Sequence, residues 1–428
     1  MKLVILDPGH FHAALVQKNM IAGIDDDVDV YAPPGPELED YQRKIEGFNA
    51  RAEAPTRWRL VTHAAPDYLE RFVAADSGDI AVLAGNNQRK IDYIARAVGA
   101  GRHVLADKPM VIDTAGFDAL VKAFAAAREH EVLLYDIMTE RFEITTLLQK
   151  EFAAIAPVFG GLVRGTSEQP AVTKESVHYF SKLVAGLPLR RPPWFFDVAQ
   201  QGEGLVDITT HLVDLVQWAC FPGELLDYRH DIRILAARRW PTVMTPAEFT
   251  AVTGVDAYPD YLRKDVQPDG NLHVYANGAI DYTVKGVHAK VSVIWEFATP
   301  PGGGDTHYSV MRGTRANLVI RQGAAERFRP VLTIEPVVQG DEAAFASALE
   351  AALPRITDKY PGVGLARRER GWEVTVPDVY HVGHEAHFGQ VTAKFLDYIH
   401  NGGLPAWEVP NMLAKYYTTT HALELARA

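Results

Sequence analysis

The 428-residue chain, 47% hydrophobic, exceeds the size of one typical core and carries enough apolar material to fill two domains. Its formal net charge of −11 and its lack of basic runs argue against a nucleic-acid surface; its lone cysteine, Cys220, leaves neither a disulfide framework nor a thiolate metal cluster and fits a reducing cytoplasm. No run approaches the roughly eighteen apolar residues of a membrane span, so no membrane partner is expected.

In chain order, a strand is predicted over 2–6, directly after Met1, which leaves no room for a signal peptide. Strand-like runs at 28–31, 59–62, 80–84, 103–105 and 132–135 then alternate with helical periodicity at 65–75, 88–100 and 114–129. Such alternation predicts a parallel sheet wrapped by helices, doubly wound through right-handed crossovers. The pattern then changes: 140–154 reads as a bridging helix and 157–166 as a strand entering a second unit. From residue 223 onward strands follow one another, and 272–275, 279–284, 289–297, 307–312 and 316–322 predict an antiparallel meander with glycine turns. Helices return at 388–400 and 412–426.

Two runs carry the chemistry. In His103-Val104-Leu105-Ala106-Asp107-Lys108-Pro109 an acid-lysine-proline turn follows a short strand. The proline keeps Lys108 out of the helical region, so its amine is expected at the carboxyl edge of the sheet, where α/β folds bind ligands. A solvated loop lysine is the plain alternative. In Asp207-Ile208-Thr209-Thr210-His211-Leu212-Val213-Asp214, a helix beginning near Leu205 would set Asp207, His211 and Asp214 on one face, continued by Trp218. Leu205, Val206, Ile208, Leu212, Val213, Leu215, Val216 and Ala219 cover the rest, so the helix reads as buried and its ionisable row needs partners. Lys108 is the partner we expect. A competing reading makes Asp207 an N-cap after Gly202-Glu203-Gly204 and His211 a satisfied core imidazole.

A dinucleotide fingerprint would place GxGxxG after the first strand; this chain has Asp7-Pro8-Gly9-His10-Phe11-His12 and keeps only the middle glycine. An ordinary strand-to-helix turn is the alternative, and Asp7 beside a pyrophosphate would be unfavourable unless it points away. The second strand ends in Val30-Tyr31-Ala32-Pro33, with no ribose-binding acid before Glu37, so NAD and NADP are not distinguished. His10 and His12 read as phosphate or substrate contacts, or as local caps. His381, His384 and His387 are spaced by three, but without a supporting carboxylate or thiolate cluster no metal site is expected.

Together these residues resemble the glucose-fructose oxidoreductase, inositol dehydrogenase and rhizopine catabolism (Gfo/Idh/MocA) family, over nearly the whole chain. Asp107-Lys108-Pro109 is similar to its acid-Lys-Pro motif, with Asp where Glu is usual. Gly202, Gly204, Asp207 and His211 match its glycine-rich entry and Asp-x-x-x-His helix. Gly85-Asn86-Asn87 with Lys90 stands where Thr-Pro-Asn and His are usual, keeping Asn87. The opening 7–12 and the closing Leu404-Pro405-Ala406-Trp407 with Lys415-Tyr416-Tyr417 resemble a subgroup with its own C-terminal domain.

The resemblance implies an α/β plus α+β chain: a doubly wound Rossmann domain over 1–137, then an α+β substrate-binding and oligomerisation domain over 138–428 with a large, mainly antiparallel sheet and C-terminal helices at 386–428. It implies NAD or NADP held by Gly9, His10, Phe11, His12, Asn87, Asp107, Lys108 and Pro109. His211 would be the general base, Lys108 would polarise the reacting oxygen, and Asp207 would bond substrate or tune the pair. A carbohydrate substrate would lie against Lys108, Arg164, His178, Trp194, Asp207 and His211, in a homodimer or homotetramer.

The chemistry is self-consistent. Hydride removal from an alcohol requires the hydroxyl proton to leave too; imidazole titrates near neutrality, and an ammonium stabilises developing alkoxide. Asp214 is expected to orient the imidazole or pair with backbone. Phe195, Phe196 and Trp407 are further stacking candidates or core, and Tyr179, Arg190 and Arg191 candidate pocket walls. The expected function is hydride transfer at a hydroxyl of a sugar, polyol or sugar derivative. The alternatives are redox-assisted glycoside cleavage, by transient oxidation and elimination, and a non-catalytic ligand-binding protein on a dehydrogenase fold.

Overall fold

The computed structural model describes residues 1–184, 187–337 and 342–428. Strands β1 (Leu3–Leu6), β2 (Asp27–Ala32), β3 (Arg59–Ala64), β4 (Ile80–Leu83), β5 (His103–Asp107) and β6 (Leu134–Ile137) form a parallel sheet in the order β3-β2-β1-β4-β5-β6. Winding reverses between β1 and β4, and ligands of such sheets lie beyond the carboxyl ends at that switch point. Leu3, Val4, Ile5, Val28, Val30, Val82, Val104 and Leu105 are fully buried, as expected of parallel strands covered on both faces. The connecting helices are α1 (His12–Val16), α2 (Pro36–Ala50), α3 (Tyr68–Ala74), α4 (Asn87–Gly99) and α5 (Thr114–Glu129). Asn86 caps α4 through the Gln88 N–H, and Asp113 caps α5 through the Gly116 N–H.

A 3-10 turn, Thr139–Phe142, then α6 (Ile144–Ala153) and α7 (Ala156–Phe159) lead into the second unit. It contains β7 (Val172–Ser181), the short hairpin β8 (Leu183–Val184) and β9 (Leu187–Pro188), a 3-10 turn Pro193–Phe196, α8 (Val198–Gln201) and α9 (Thr209–Cys220). After these come β10 (Ile232–Met244), α10 (Pro246–Thr253), β11 (Leu272–Val284), β12 (Val287–Ala298), β13 (Thr306–Arg312), β14 (Ala316–Gln322) and β15 (Val331–Pro336). The chain closes with α11 (Glu342–Thr357), β16 (Gly364–Arg368), β17 (Gly371–Thr375), α12 (His384–His400) and α13 (Glu408–Arg427). Nine strands form one sheet, β10-β11-β12-β7-β13-β14-β15-β17-β16. It is antiparallel except where β7 and β12 run parallel.

Three local expectations are corrected. Residues 157–159 lie in α7, whose first turn accepts Pro157 because no amide hydrogen is needed there, and the strand expected at 157–166 begins only at Val172. Residues 272–284 form one continuous strand. Helix α9 begins at Thr209 rather than near Leu205. The preceding Gly204 lies flat on β11, where a Cβ would stand 2.0 Å from the Ala276 carbonyl oxygen, and Thr209 Oγ1 donates to the Gly204 carbonyl at 2.8 Å. This close approach holds 204–208 as a turn.

The last two helices return to the first sheet. Helix α12 packs on α1 and β6, and α13 lies against α5, α9 and β10. Phe388, Val391, Phe395, Leu396, Met412 and Tyr416 join the apolar core of the parallel sheet. No helix among the described residues is long and apolar enough to cross a membrane.

Candidate active site

The two chemical motifs meet. Lys108 follows β5, joined to Pro109 by a cis peptide bond, and its Nζ donates to Asp207 Oδ1 at 2.6 Å with both side chains buried. Asp207 does not cap α9: its carboxylate is committed to Lys108, and the residue before the helix is Ile208. His211, in the first turn of α9, is buried, and its Nδ1 has no hydrogen-bond partner. Burial, and next the Lys108 ammonium, push its pKa down to about 3. The resting imidazole is therefore neutral, not poised near pH 7 as the residue type alone implies.

Asp214, one turn further along α9, neither orients His211 nor bonds backbone. It accepts both Nε and Nη2 of Arg141 at 2.7 Å, and Lys415 Nζ at 2.9 Å. Lys415 also reaches Asp136 at 2.6 Å, and Arg141 also reaches Glu408 at 2.8 Å. This ion network ties the 3-10 turn after β6, α9 and α13 together.

At the β1 turn, Asp7 adopts φ 48° in the place of the first fingerprint glycine, and its carboxylate accepts from Tyr93 Oη of α4 at 2.7 Å. The acid is thus held toward α4. The β1 and β4 turns touch: a Cβ on Gly85 would stand 2.3 Å from the Asp7 carbonyl oxygen, and the His10 N–H bonds the Ala84 carbonyl at 3.0 Å. Half-buried Phe11 packs its ring 4.6 Å from that of His10 and 4.4 Å from that of His12. Trp194 comes from the second unit to this turn; its Cζ2 lies 3.6 Å from the position of a Cβ on Gly9.

Asn87 donates to the Gln201 carbonyl at 2.7 Å and accepts from Lys90 Nζ at 2.5 Å, so its side chain is committed to joining α4 to α8. Lys90, wholly buried, also donates to the carbonyls of Asp107 (2.9 Å) and Pro109 (3.1 Å), and burial lowers its pKa to about 8. It ties the β4 turn to the lysine turn, a bracing role its position in the sequence did not disclose.

Beside Lys108, the Asp107 carboxylate faces two imidazoles. His12 Nδ1 lies 2.9 Å and His10 Nδ1 3.7 Å from the same Oδ2. Burial pushes Asp107 up, but His12, Lys90 and His10 together hold it well below the usual carboxylate range. Across from them His384 pairs with Glu140, Nδ1 to Oε1 at 3.3 Å. Glu140 keeps 36% of its side-chain surface open to solvent. It also interacts electrostatically with His211 and His387. Sequence reasoning left Glu140 at the head of a bridging helix and missed it.

The remaining candidates divide. His178 on β7 is fixed between Asp305 and Ser176, each at 3.1 Å, and shares with Glu140 a half-buried neighbour, His307. Arg164 is not brought to the site. Its carbonyl accepts from the His288 N–H near the start of β7, some 20 Å of strand from His178 by the usual rise. Phe195 and Phe196 are core, packed with Phe180, Phe249 and Trp295. Trp407 lies over Arg141 at 5.7 Å, Arg191 bonds the Tyr179 and Phe180 carbonyls, and Arg190 bonds the Ala251 carbonyl. His381, His384 and His387 do not converge: the last two rings are 6.3 Å apart and His381 lies near Arg329 and Asp378.

Residues 148–427 match a family model described as "Putative oxidoreductase C terminal domain". Among solved structures the chain is similar to a "putative oxidoreductase" from Parabacteroides merdae at 54% identity, covering 100% of this chain and 97% of that one, with a TM-score of 0.97. In fold alone it is similar to KijD10, a 3-ketoreductase from Actinomadura kijaniata in complex with NADP and TDP-benzene (14% identity, 97% and 94% covered, TM-score 0.57). The same holds for levoglucosan dehydrogenase in complex with NADH and L-sorbose (11% identity, 100% and 96% covered, TM-score 0.61). No curated protein matches the chain.

Proposed function

The chain belongs to the Gfo/Idh/MocA-type oxidoreductases that carry this C-terminal domain, and from there we propose that it transfers hydride between NAD(P) and a hydroxyl of a sugar, polyol or sugar derivative. The observation that carries this reading is the buried Lys108–Asp207 pair beside His211, whose Nδ1 is orphaned at the carboxyl edge of the parallel sheet. A buried polar atom without a partner costs free energy, and one beside a charged pair at a sheet's ligand-binding edge is accounted for by a role in binding or catalysis.

The residues present fit a nicotinamide nucleotide. Asp7 is held toward Tyr93, and Gly9 and Gly85 leave bare backbone at the switch point. The turn Gly9–His12 and the ends of β4 and β5, up to Lys108 and Pro109, would hold it. Bound there, the nucleotide would accept or return hydride. Lys108 would polarise the substrate oxygen, fixed in place by Asp207, and the His211 imidazole, neutral at rest, would take the hydroxyl proton. His178 and Trp194 would border the sugar.

Turnover of NAD(P) with a panel of sugars and polyols tests this. His211→Gln should lower kcat/KM by about 10²–10⁴, the usual contribution of a general base, while nucleotide affinity is kept. Near-normal turnover in that variant would refute the assignment.

A second reading, redox-assisted glycoside cleavage, is favoured by the Glu140–His384 pair. Elimination needs a further group to take a C–H proton and one to protonate the departing oxygen, and this carboxylate and imidazole both interact electrostatically with His211. Aglycone release without net NAD(P)H accumulation would distinguish it. In solution the protein would form a homodimer or homotetramer through the open face of the nine-stranded sheet, in a reducing cytoplasm.

A further inference from the structure

We propose that His10, His12 and Asp107 form a binding site for a divalent transition-metal ion of the zinc type, at the rim of the cleft between the β1 turn and Lys108. Among the described residues, the ligand atoms of these three lie within 4.8 Å of one another. Two come from one turn and the third from the end of a neighbouring stretch of sheet, so the fold itself creates the convergence.

The spacing is that of ligands around one ion. With metal–ligand distances of about 2.0–2.2 Å, tetrahedral ligand atoms stand about 3.3–3.5 Å apart. The two spacings to Asp107 Oδ2, 2.9 Å from His12 Nδ1 and 3.7 Å from His10 Nδ1, bracket that figure. The His12 contact is a good hydrogen bond, whereas the His10 contact is too long for one. A second imidazole is thus aimed at an oxygen that already has its partner. Among the described residues His10 Nδ1 otherwise meets only the His12 N–H, at 3.5 Å, and an ion between the three atoms would draw both imidazoles to one point.

Local charge acts both ways: Lys108 and Lys90 disfavour positive charge on His10, and the Asp107 carboxylate favours it. Lys108 is paired with Asp207, and Lys90 is directed at three oxygen acceptors away from the Asp107 carboxylate. Asp107 and Asp207 balance the two lysines, and Glu140 with His384 lies close by, the His12 and His384 rings being 6.1 Å apart. Two imidazoles and a carboxylate leave one tetrahedral position free. His10 and His12 keep 14% and 11% of their side-chain surfaces open and Asp107 6%, and the free position would take water or a ligand oxygen. The inference needs no bound nucleotide, although the same turn and the end of β5 would hold the nucleotide in the hydride-transfer reading.

The test uses the full chain with any affinity tag removed, stripped with EDTA and titrated with Co²⁺ by visible absorption, then with Zn²⁺ in competition. One Co²⁺ per chain is expected, with tetrahedral d–d bands that Zn²⁺ abolishes. His10→Ala and His12→Gln should each weaken binding by more than about 100-fold, since loss of a mere supporting partner of a ligand already costs 10–100-fold. His384→Ala, outside the triad, should bind as the parent does. His10 sits in a half-buried turn, so His10→Ala is expected to fold, and its thermal melting checks this. No stoichiometric binding, or binding unchanged in folded His10→Ala, would overturn the proposal. NAD(P) titration of the same stripped protein reports separately on the nucleotide reading.

Discussion

Helix α9 carries two buried ionisable groups one turn apart, and their surroundings are opposite. Asp214 is saturated: Arg141 grips it with two bonds and Lys415 adds a third, each cation being shared with another carboxylate. His211 has an unpartnered Nδ1 and a nearby ammonium that disfavours its protonation. The first arrangement lowers the free energy of the fold, given that its charges are already buried; the second leaves a cost in the fold that a ligand can relieve. Position on a helix therefore says little about role until the partners are known.

The sharpest way to break this contrast is to remove one charge from each side. Lys415 has no exposed surface and separates Asp136 from Asp214, so Lys415→Met would leave two buried carboxylates facing each other. A loss of about 3–5 kcal/mol in stability is expected, the usual cost of stripping one partner from a buried pair. His211→Gln should leave the thermal midpoint unchanged or higher, although it removes activity. Melting of the two variants side by side checks both, and equal destabilisation would mean that His211 is structural after all.

Acid sharpens the contrast further. The folded pKa of His211, about 3, lies below the unfolded value of about 6.5, so below pH 6.5 the unfolded chain binds a proton that the folded chain refuses. Stability is therefore whole above pH 6.5 and falls as the pH drops toward 3, by up to about 5 kcal/mol from this residue. His10 and His12, depressed chiefly by burial, act in the same direction. His211→Gln should flatten the limb without abolishing it, as denaturant midpoints at pH 7, 5.5 and 4.5 would reveal. An unchanged slope would place His211 in a wetter setting than its burial indicates.

Local pattern exposed the centre of the site, and distance in the chain hid its supports. The proline after Lys108 and the apolar envelope of α9 were enough to expect Lys108 and Asp207 together at the sheet edge. The partners of Asp214 were beyond reach, since Arg141 and Lys415 lie 73 and 201 residues away and nothing local in either marks a buried salt bridge. His12 and Asp107, 95 residues apart, raise the same difficulty: each looked like part of a cofactor motif, and only the adjacency of β1, β4 and β5 aims them at each other. The alternation of strands and helices disclosed the parallel sheet. It did not disclose that α12 and α13 complete its core, because an amphipathic helix does not name the surface it will cover. The start of α9 was misplaced for a similar reason, since the close approach of Gly204 to β11 overrides a helical pattern that begins at Leu205.

The smallest effect concerns a third buried charge on the same approach to α9. Glu203, next to Gly204 and fully buried, takes two bonds from Arg239 at 2.5 and 3.0 Å and two from Arg427 at 3.0 and 2.7 Å. The two arginines are not equivalent. Arg239 is largely enclosed, whereas Arg427, in the last turn of α13, keeps 48% of its side-chain surface in water, where solvent screens its attraction. Arg427→Ala leaves Glu203 its bidentate partner, so the expected loss is below about 1 kcal/mol, with kcat and KM unchanged. Should KM rise several-fold while the melting midpoint stays put, the end of α13 would be positioning the turn that carries Asp207, and the line between saturated structural charge and unsatisfied functional charge would pass through Glu203 rather than between Asp214 and His211.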